Sequence, residues 1–544
     1  MELLLLLLLT IIVVYVSVER AKKLKAKQAL AQIKADWQSV RPKKGHYNFL
    51  KIDKYLDTSE AQFHRLTDQT LEDLDFEKLF KFIDRTTSKV GQQFLYKKLL
   101  EPTNQIQNES EKYINLFAEN KKLREEVQAA LLKLSNEDAY SIASLLSEAP
   151  LIKPKWFKFL KLDLAIIVLL FVLAIKFPAS LIFLILPFSV NVYLHLWNKN
   201  NTFHYFRSVP QLLNLIHVAE TLAKSQSPIA DKVVLKSVQR LSTVKKNARL
   251  IKFNEGGLQN EVGQYLSDLF KSLFLVEILT TFKISEELKD KKSDIHALFR
   301  FVGHLDACIS IASLRGSKLN TCKPTFTTSK KELYIKGAYH PLLKKGTPND
   351  LTIKDKSALI TGSNMSGKST FLRTVAINSI LAQTIYTCFA EEYTAPILKP
   401  FSSIRIDDDL FQGKSYFFEE VGVMGSLIEA TQGPAQCLFL LDEVFKGTNT
   451  IERVAAAKAI LSYLNRGDNI VLVATHDIEL ADMLNDDYDL YHFTEIIENN
   501  KLHFDHTIKP GALKTRNAIK LLELAEYPTE VLDEAKRISA LYKS

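Results

Sequence analysis

A helical region carrying hydrophobic spans, followed by a C-terminal α/β nucleotide-binding domain, is the fold class this sequence predicts. Three observations predict it. The first is Thr361–Thr370, Thr-Gly-Ser-Asn-Met-Ser-Gly-Lys-Ser-Thr, a G-x-x-x-x-G-K-[ST] loop between an apolar strand pattern at Ser357–Ile360 and a helical pattern at Thr370–Thr387. The second is the apolar run Cys437–Leu441, which ends in two adjacent carboxylates, Asp442 and Glu443. The third is a pair of long hydrophobic stretches, Leu3–Val18 and Leu164–Trp197, set among helical patterns.

The loop is read first because its chemistry is the most specific. Glycines at 362 and 367 let backbone N–H groups turn inward around β- and γ-phosphates, and the helix that follows adds its positive end. Lys368 is placed to neutralise phosphate charge and Ser369 to hold Mg²⁺. Gly362, Ser363, Asn364, Met365, Ser366, Gly367, Lys368, Ser369 and Thr370 are the expected nucleotide cradle, with ATP as the ligand. Two acids at the end of a buried strand repel each other and face a crevice, so packing explains them poorly. Asp442 is expected to reach Mg²⁺ through water, and Glu443 to act as the base that polarises the attacking water. The next buried strand, Asn469–Thr475, ends at His476. A lone histidine is usually structural, but at the end of the strand after the acid pair it reads as the switch that senses the γ-phosphate.

Composition bounds the rest. The 544 residues can hold several domains, and a formal charge of +9 is compatible with DNA or an anionic membrane surface without demanding either. Cys308, Cys322, Cys388 and Cys437 show no C-x-x-C spacing. They read as thiols in a reducing compartment, not as a disulfide framework or a zinc site.

Leu3–Val18 is apolar except for Thr10, Tyr15 and Ser17. Glu2 precedes it, and Arg20, Lys22, Lys23, Lys25 and Lys27 follow, which the positive-inside rule reads as an uncleaved anchor with the chain continuing into the cytoplasm. Leu164–Trp197 suits two spans with a tight turn near Lys176–Ser180. Lys153, Lys155, Lys158 and Lys161 before it and Lys199 after it put both ends inside, with Trp156 and Trp197 as interfacial anchors. A hydrophobic hairpin buried in protein is the competing reading. Three transmembrane helices are expected, hence a multi-pass protein of the inner or plasma membrane.

The loop interior Asn364-Met365, with Ser369-Thr370-Phe371-Leu372-Arg373 after it, resembles the MutS family of DNA mismatch-repair ATPases. Asp84-Arg85-Thr86-Thr87-Ser88-Lys89-Val90-Gly91 resembles the start of that family's core, or lever, domain, and Leu305–Ala312 the lever helix that returns to its ATPase domain. Tyr339-His340-Pro341 and Pro348-Asn349-Asp350-Leu351 are similar to the strands that approach the adenine. Lys345-Gly346-Thr347 stands where the family places an aromatic residue. Asp408-Asp409-Leu410 with Gly413-Lys414-Ser415 resembles the signature segment, which implies that Ser415 points at the γ-phosphate held by a second subunit. Gly447-Thr448-Asn449-Thr450 is similar to the family's Gly-Thr-Ser-Thr, and Phe504–Ile508 to its late segment, which implies that His506 stacks near adenine. Tyr527–Ile538 matches its closing helix.

The resemblance implies an ABC-type P-loop ATPase that works as a dimer with ATP and Mg²⁺ and contacts double-stranded DNA. The expected divisions are an anchor (1–18), a basic cytoplasmic segment (19–67), lever (68–155), membrane hairpin (156–198), lever again (199–325) and ATPase domain (326–544). No Gly-x-Phe-Tyr-Glu wedge occurs in the sequence, so mismatch reading is not expected of it. A membrane-tethered mechanochemical or scaffold ATPase without a DNA role is the rival. An ABC transporter is disfavoured, since three short spans carry too few polar groups for a translocation path.

Overall fold

The computed structural model describes residues 16–17, 20–21, 24–25, 27–40, 47–105, 108–149, 151–225, 227–252, 273–363, 365–405, 416–445, 449–498, 501–513, 522–523 and 527–541. By internal contacts the chain divides into two units, one of residues 1–60, 83–97 and 108–317, the other of residues 61–82, 98–107 and 318–544.

The first unit is helical and organised around Lys292–Arg315. From Leu305 to Leu314 every residue of this helix is buried, the behaviour expected of a helix that is apolar all round. Small residues let neighbours come close: a Cβ on Gly303 would lie 2.6 Å from that of Phe94. The one acid at its centre, Asp306, is fully buried and fully used. It accepts hydrogen bonds from the backbone N–H of Thr87 (2.9 Å) and Ser88 (2.7 Å) and from the Ser88 hydroxyl (2.6 Å). These donors lie at the start of the helix Lys89–Leu100, where a negative charge is favoured. Gly91 completes the joint, because a Cβ there would sit 2.1 Å from Asp306 Oδ2. The segments 84–91 and 305–312, which the sequence offers as separate lever signatures, are thus fastened to each other.

The same unit carries an apolar hairpin. Leu160–Ala174 and Ile185–Asn201 are α-helices joined through the 3-10 turn Pro178–Leu184. Leu162, Leu169, Val172, Ile182, Phe183 and Leu186 are all exposed. Its polar residues turn the other way: Asn191 and His195 are buried, and the Asn191 amide donates to the carbonyl of Leu273 at 2.9 Å. Trp156 and Trp197 meet edge to face, 5.0 Å apart, at its base. Pro178–Trp197 and Lys292–Arg315 are both long and apolar enough to cross a membrane, but only 11% of the first is buried against 78% of the second. Lys292–Arg315 is a core helix. The expected anchor at Leu3–Val18 falls almost wholly outside the described residues.

The second unit holds the sheets. Its first strands are β1 (Thr325–Phe326), β2 (Glu332–Ala338), β3 (Asn349–Lys354), β4 (Ser357–Thr361), β5 (Glu392–Ala395) and β6 (Lys399–Ser403). There follow β7 (Cys437–Asp442), β8 (Ile470–Thr475), β9 (Tyr488–His492), β10 (Glu495–Glu498), β11 (Lys501–Phe504) and β12 (Lys509–Pro510). A four-stranded sheet has the order β1-β5-β2-β3, a hairpin pairs β10 with β11, and a six-stranded sheet runs β12-β9-β4-β8-β7-β6. All its pairings are parallel except β12 with β9. β4 and β8 are buried along their whole length, as central strands covered on both faces must be. Leu359 of β4 and Val471 and Val473 of β8 form a continuous core with Phe439, Leu441, Leu461 and Leu480.

Residues 61–82 and 98–107 group with this unit, although from residue 68 onward the sequence assigns them to the lever. The reason is a set of buried polar bonds. Asp73, at the end of the helix Asp68–Asp73, accepts from the Ser402 hydroxyl (2.6 Å) and from the backbone N–H of Ile404 (3.0 Å) and Arg405 (2.7 Å), just where β6 ends. Thr70 accepts from the Ser402 N–H at 3.2 Å.

Removing the carboxylate of Asp306 leaves two buried backbone donors unmatched, at roughly 1–3 kcal/mol each. Asp306→Ala is therefore expected to lower the unfolding free energy by about 2–6 kcal/mol in denaturant titration, whereas the exposed Asp290→Ala should leave it nearly unchanged. Equal effects of the two substitutions would show that the joint is not held by Asp306.

Candidate functional site

Three neighbouring parallel strands bring the site together. Thr361 of β4 is opposite Thr475 of β8, and Ala474 of β8 is opposite Asp442 of β7. Their C-terminal ends stand in a row. The glycine loop after β4, His476 after β8 and Glu443 after β7 are therefore delivered to one edge of the sheet, where open α/β sheets bind their ligands.

The loop turns on Gly362 and Gly367, with φ of 148° and 112° in the region that favours glycine. A Cβ on Gly362 would lie 2.7 Å from the carbonyl oxygen of Phe493. Gly367 is the N-cap of the helix Lys368–Ile385. Lys368 is buried, and its ammonium donates to the carbonyls of Gly362 (2.7 Å) and Ser363 (3.1 Å), arching over its own loop. Ser366 is buried, Thr370 half-buried and Met365 exposed; Asn364 lies outside the described residues. The Ser363 hydroxyl donates to Glu495 Oε2 at 3.2 Å.

The Ser369 hydroxyl donates to Asp442 Oδ2 across the gap between the two strand ends. A hydroxyl and a carboxylate oxygen in contact are hard oxygen donors of the kind Mg²⁺ takes. Among the described residues no group of three or more His, Cys, Asp and Glu could hold a metal by itself.

Glu443 sits at φ 55°, with its N–H donating to the carbonyl of Ala474 at 2.8 Å. This left-handed turn aims its carboxylate at His476, whose Nδ1 lies 3.3 Å from Glu443 Oε1. The hydrogen bond with Glu443 raises the imidazole above its ordinary pKa, against the opposing effect of burial. Asp477 adjoins the ring on its other side, with Oδ1 3.8 Å from His476 Nε2. Asp477 is in turn gripped by the Arg453 guanidinium through Nε (3.0 Å) and Nη2 (2.7 Å). Arg453 stands in the first turn of the helix Thr450–Leu464, which Asn449 caps by accepting from the Glu452 N–H at 3.0 Å. The sequence reading missed the Arg453–Asp477 pair. Asp477 follows His476 directly in Ala-Thr-His-Asp, but nothing local announces its partner.

Beside the loop lies a cavity of about 260 Å³ lined by His340, Leu343, Thr347, Asn349, Met365 and His506, among others. His506 has φ 52°, its Nδ1 lies 3.0 Å from the Ser366 carbonyl, and its ring stacks on Phe504 with centroids 6.0 Å apart. Asn349 fixes it from behind, donating to the His506 carbonyl (3.0 Å) and accepting from the Ile508 N–H (2.8 Å). Lys345, Gly346 and Thr347 line this cavity as well. Burial, reinforced by the positive charge of Arg373, holds His340 down to about 4, so this ring is neutral at pH 7. The structure thus brings together Lys368, Ser369, Asp442, Glu443 and His476 at the strand ends and His506 at the cavity. Ser415 and the segment 406–415 around it lie outside the described residues, as do residues 446–448.

A family model described as MutS domain V matches residues 358–543. The chain is 32% identical over 265 residues to a DNA mismatch repair protein MutS of Natronomonas pharaonis, covering 47% of this chain and 30% of that protein. It is 34% identical over 283 residues to that of Listeria welshimeri, covering 49% and 32%. It is 36% identical over 280 residues to that of Lactobacillus delbrueckii subsp. bulgaricus, covering 47% and 32%. The chain spans about a third of the length of these curated relatives.

Proposed function

Because the chain belongs to the MutS family through residues 358–543, we propose that it is a membrane-anchored MutS-related ATPase. It binds and hydrolyses ATP as a homodimer through an ABC-type P-loop domain and couples that cycle to double-stranded DNA. The observation that carries the reading is the row of strand ends holding Lys368, Ser369 with Asp442, and Glu443 with His476.

The residues divide the work by their chemistry. Lys368 exchanges two neutral carbonyl acceptors for phosphate oxygens, which are charged and make the stronger bond. Inward-facing N–H groups of the loop and the first turn of Lys368–Ile385 complete the phosphate cradle. Ser369 and Asp442 would hold Mg²⁺, which supplies neutralisation of the charge that develops on the phosphate oxygens. Glu443 orients the attacking water and accepts its proton. His476, held between Glu443 and Asp477, fixes the direction of that carboxylate, and Arg453 is a positioning residue acting through Asp477. The cavity beside His506 takes the base. Ser415 of a second subunit completes the site, on the strength of the family's signature segment.

The exposed apolar side chains of Leu160–Asn201 support the membrane reading, since lipid is the environment that leaves them no cost of exposure to water. The polar faces of Asn191 and His195 turned inward agree with it. DNA contact rests on the family and on the basic excess, and it is assigned to phosphates, which carry no direct base information.

Lys368→Ala is expected to abolish ATP binding in equilibrium titration, and Glu443→Gln to bind ATP but turn over about 10²–10⁴ more slowly. Normal turnover by Glu443→Gln would remove this residue from its role. Membrane fractions washed in high salt should retain the full-length protein, because attachment through Arg20–Lys27 alone would be screened. Its release without detergent contradicts the spanning assignment. In competition at several salt concentrations, a mismatched duplex and its matched control should bind within a few-fold of each other and weaken together as salt rises. A tenfold preference for the mismatch, about 1.4 kcal/mol, would reveal a base reader. Binding to neither duplex would favour a scaffold ATPase without a DNA role.

A further inference from the structure

Cys322 and Cys388 form an isolated antiparallel bridge. The Cys322 N–H donates to the Cys388 carbonyl at 3.0 Å, and the Cys388 N–H donates to the Cys322 carbonyl at 2.9 Å. Residues that exchange both bonds have Cα atoms about 5.5 Å apart and side chains on one face of the ladder. That separation falls inside the roughly 4.4–6.8 Å range of disulfides. None of Cys308, Cys322, Cys388 and Cys437 is joined in a disulfide.

The two thiols differ in the way a sensing pair requires. Cys322 is half-buried, and the neighbouring Cys388 side chain, the largest influence on it, draws its pKa below the ordinary thiol value despite burial. Cys388 is fully buried, with its sulfur also 3.6 Å from the Asn378 carbonyl. A partly exposed thiol lying across a ladder rung from a buried one is the arrangement of an attacked cysteine and its resolving cysteine. Cys437 makes the contrast: burial pushes its thiol up to about 11, and its sulfur is engaged by the carbonyls of Ala430 and Ala435.

We propose that Cys322 and Cys388 are a reversible redox site that closes as an intramolecular disulfide. Hydrogen peroxide oxidises the Cys322 thiolate to a sulfenic acid, leaving hydroxide that takes up the proton the thiol released. The Cys388 sulfur then attacks the sulfenic sulfur and expels the second water. Two thiols lose two electrons and two protons, and one peroxide becomes two waters. A thiol reductant reverses the step by exchange, and the partial exposure of Cys322 keeps the bond within its reach.

The bond ties two places that matter to the nucleotide loop. Cys322 lies in the stretch entering β1, where the Tyr339 hydroxyl donates to the Asn320 carbonyl at 3.0 Å. Cys388 follows the helix that begins at Lys368, after a left-handed turn at Tyr386 (φ 53°) and a bond from the Phe389 N–H to Asn378 Oδ1 (2.6 Å). Oxidation therefore staples the strand leading into this unit to the far end of the phosphate-loop helix.

The test is a peptide map of the purified full-length chain, treated with hydrogen peroxide, denatured without reductant and alkylated with N-ethylmaleimide. The expected result is a peptide joining Cys322 to Cys388 that disappears with dithiothreitol, with Cys308 and Cys437 still alkylated. Cys322→Ser, a change at the more exposed position, should abolish the cross-link and leave Cys388 alkylated. Recovery of Cys322 as a free thiol or as sulfinic acid at peroxide doses that oxidise free glutathione would overturn the proposal. So would cross-linking only between chains on a non-reducing gel.

Discussion

The register of β4, β8 and β7 is the constraint on which the site depends. A slip of one residue in a parallel pairing would turn Asp442 toward the opposite face of the sheet and part it from Ser369. Yet these strands are apolar nearly throughout, so alternation between a wet and a dry face does little to choose among registers. The choice is made at the strand ends. Glu443 adds one more rung by donating to Ala474, and Phe493 adds another by donating to Thr361 at 2.9 Å. Both rungs use residues at the edge of the site, so the groups that depend on the register also help to set it.

That arrangement stores strain where the chemistry is. Glu443, Phe445 and His506 are non-glycine residues with φ of 55°, 63° and 52°, a conformation that costs of order 1–3 kcal/mol when tertiary structure imposes it. The core beneath offsets it: Phe439, Leu441, Val471 and Val473 pack one face of the sheet against the helices Tyr416–Ala430, Thr450–Leu464 and Ile478–Leu484. Lys368 and Ser369 are similarly restrained, one by loop carbonyls and one by Asp442. Few of these side chains need to search for a position when a ligand arrives.

What was legible in the sequence follows from how far apart the partners lie. The glycine loop, the acid pair and His476 each announce themselves within a few residues, because the chemistry needs particular residue types in contiguous order. The long apolar strands and the helix Lys368–Ile385 could be read from period and run length alone. The buried polar contacts could not. Arg453 finds Asp477 at a separation of 24 residues, Thr87 finds Asp306 across 219, and Asp73 finds Ser402 across 329. No periodicity reports which acid will meet which donor at such distances. Hydropathy alone also fails to separate Pro178–Trp197 from Lys292–Arg315, because length and composition are alike and only burial differs. The structure separates them, because Asp306 in the second is fully buried and bonded to Thr87 and Ser88, which a lipid-facing helix could not provide.

The contact between Asp73 and the end of β6 bears on how the protein is made. Chains emerge from the ribosome N-terminus first, at roughly 5–20 residues per second. Asp73 is therefore exposed to the exit side long before Ser402, Ile404 and Arg405 exist to donate to it. The six-stranded sheet cannot finish its β6 edge by local steps; it must recapture a segment synthesised at the start, at the entropic cost of closing a very long loop. Residues 83–97 and 108–317 are completed in the interval. The two units are consequently interleaved in time as well as in sequence: most of the helical one can fold while a bracket opened at residue 61 waits for the last third of the chain to close it.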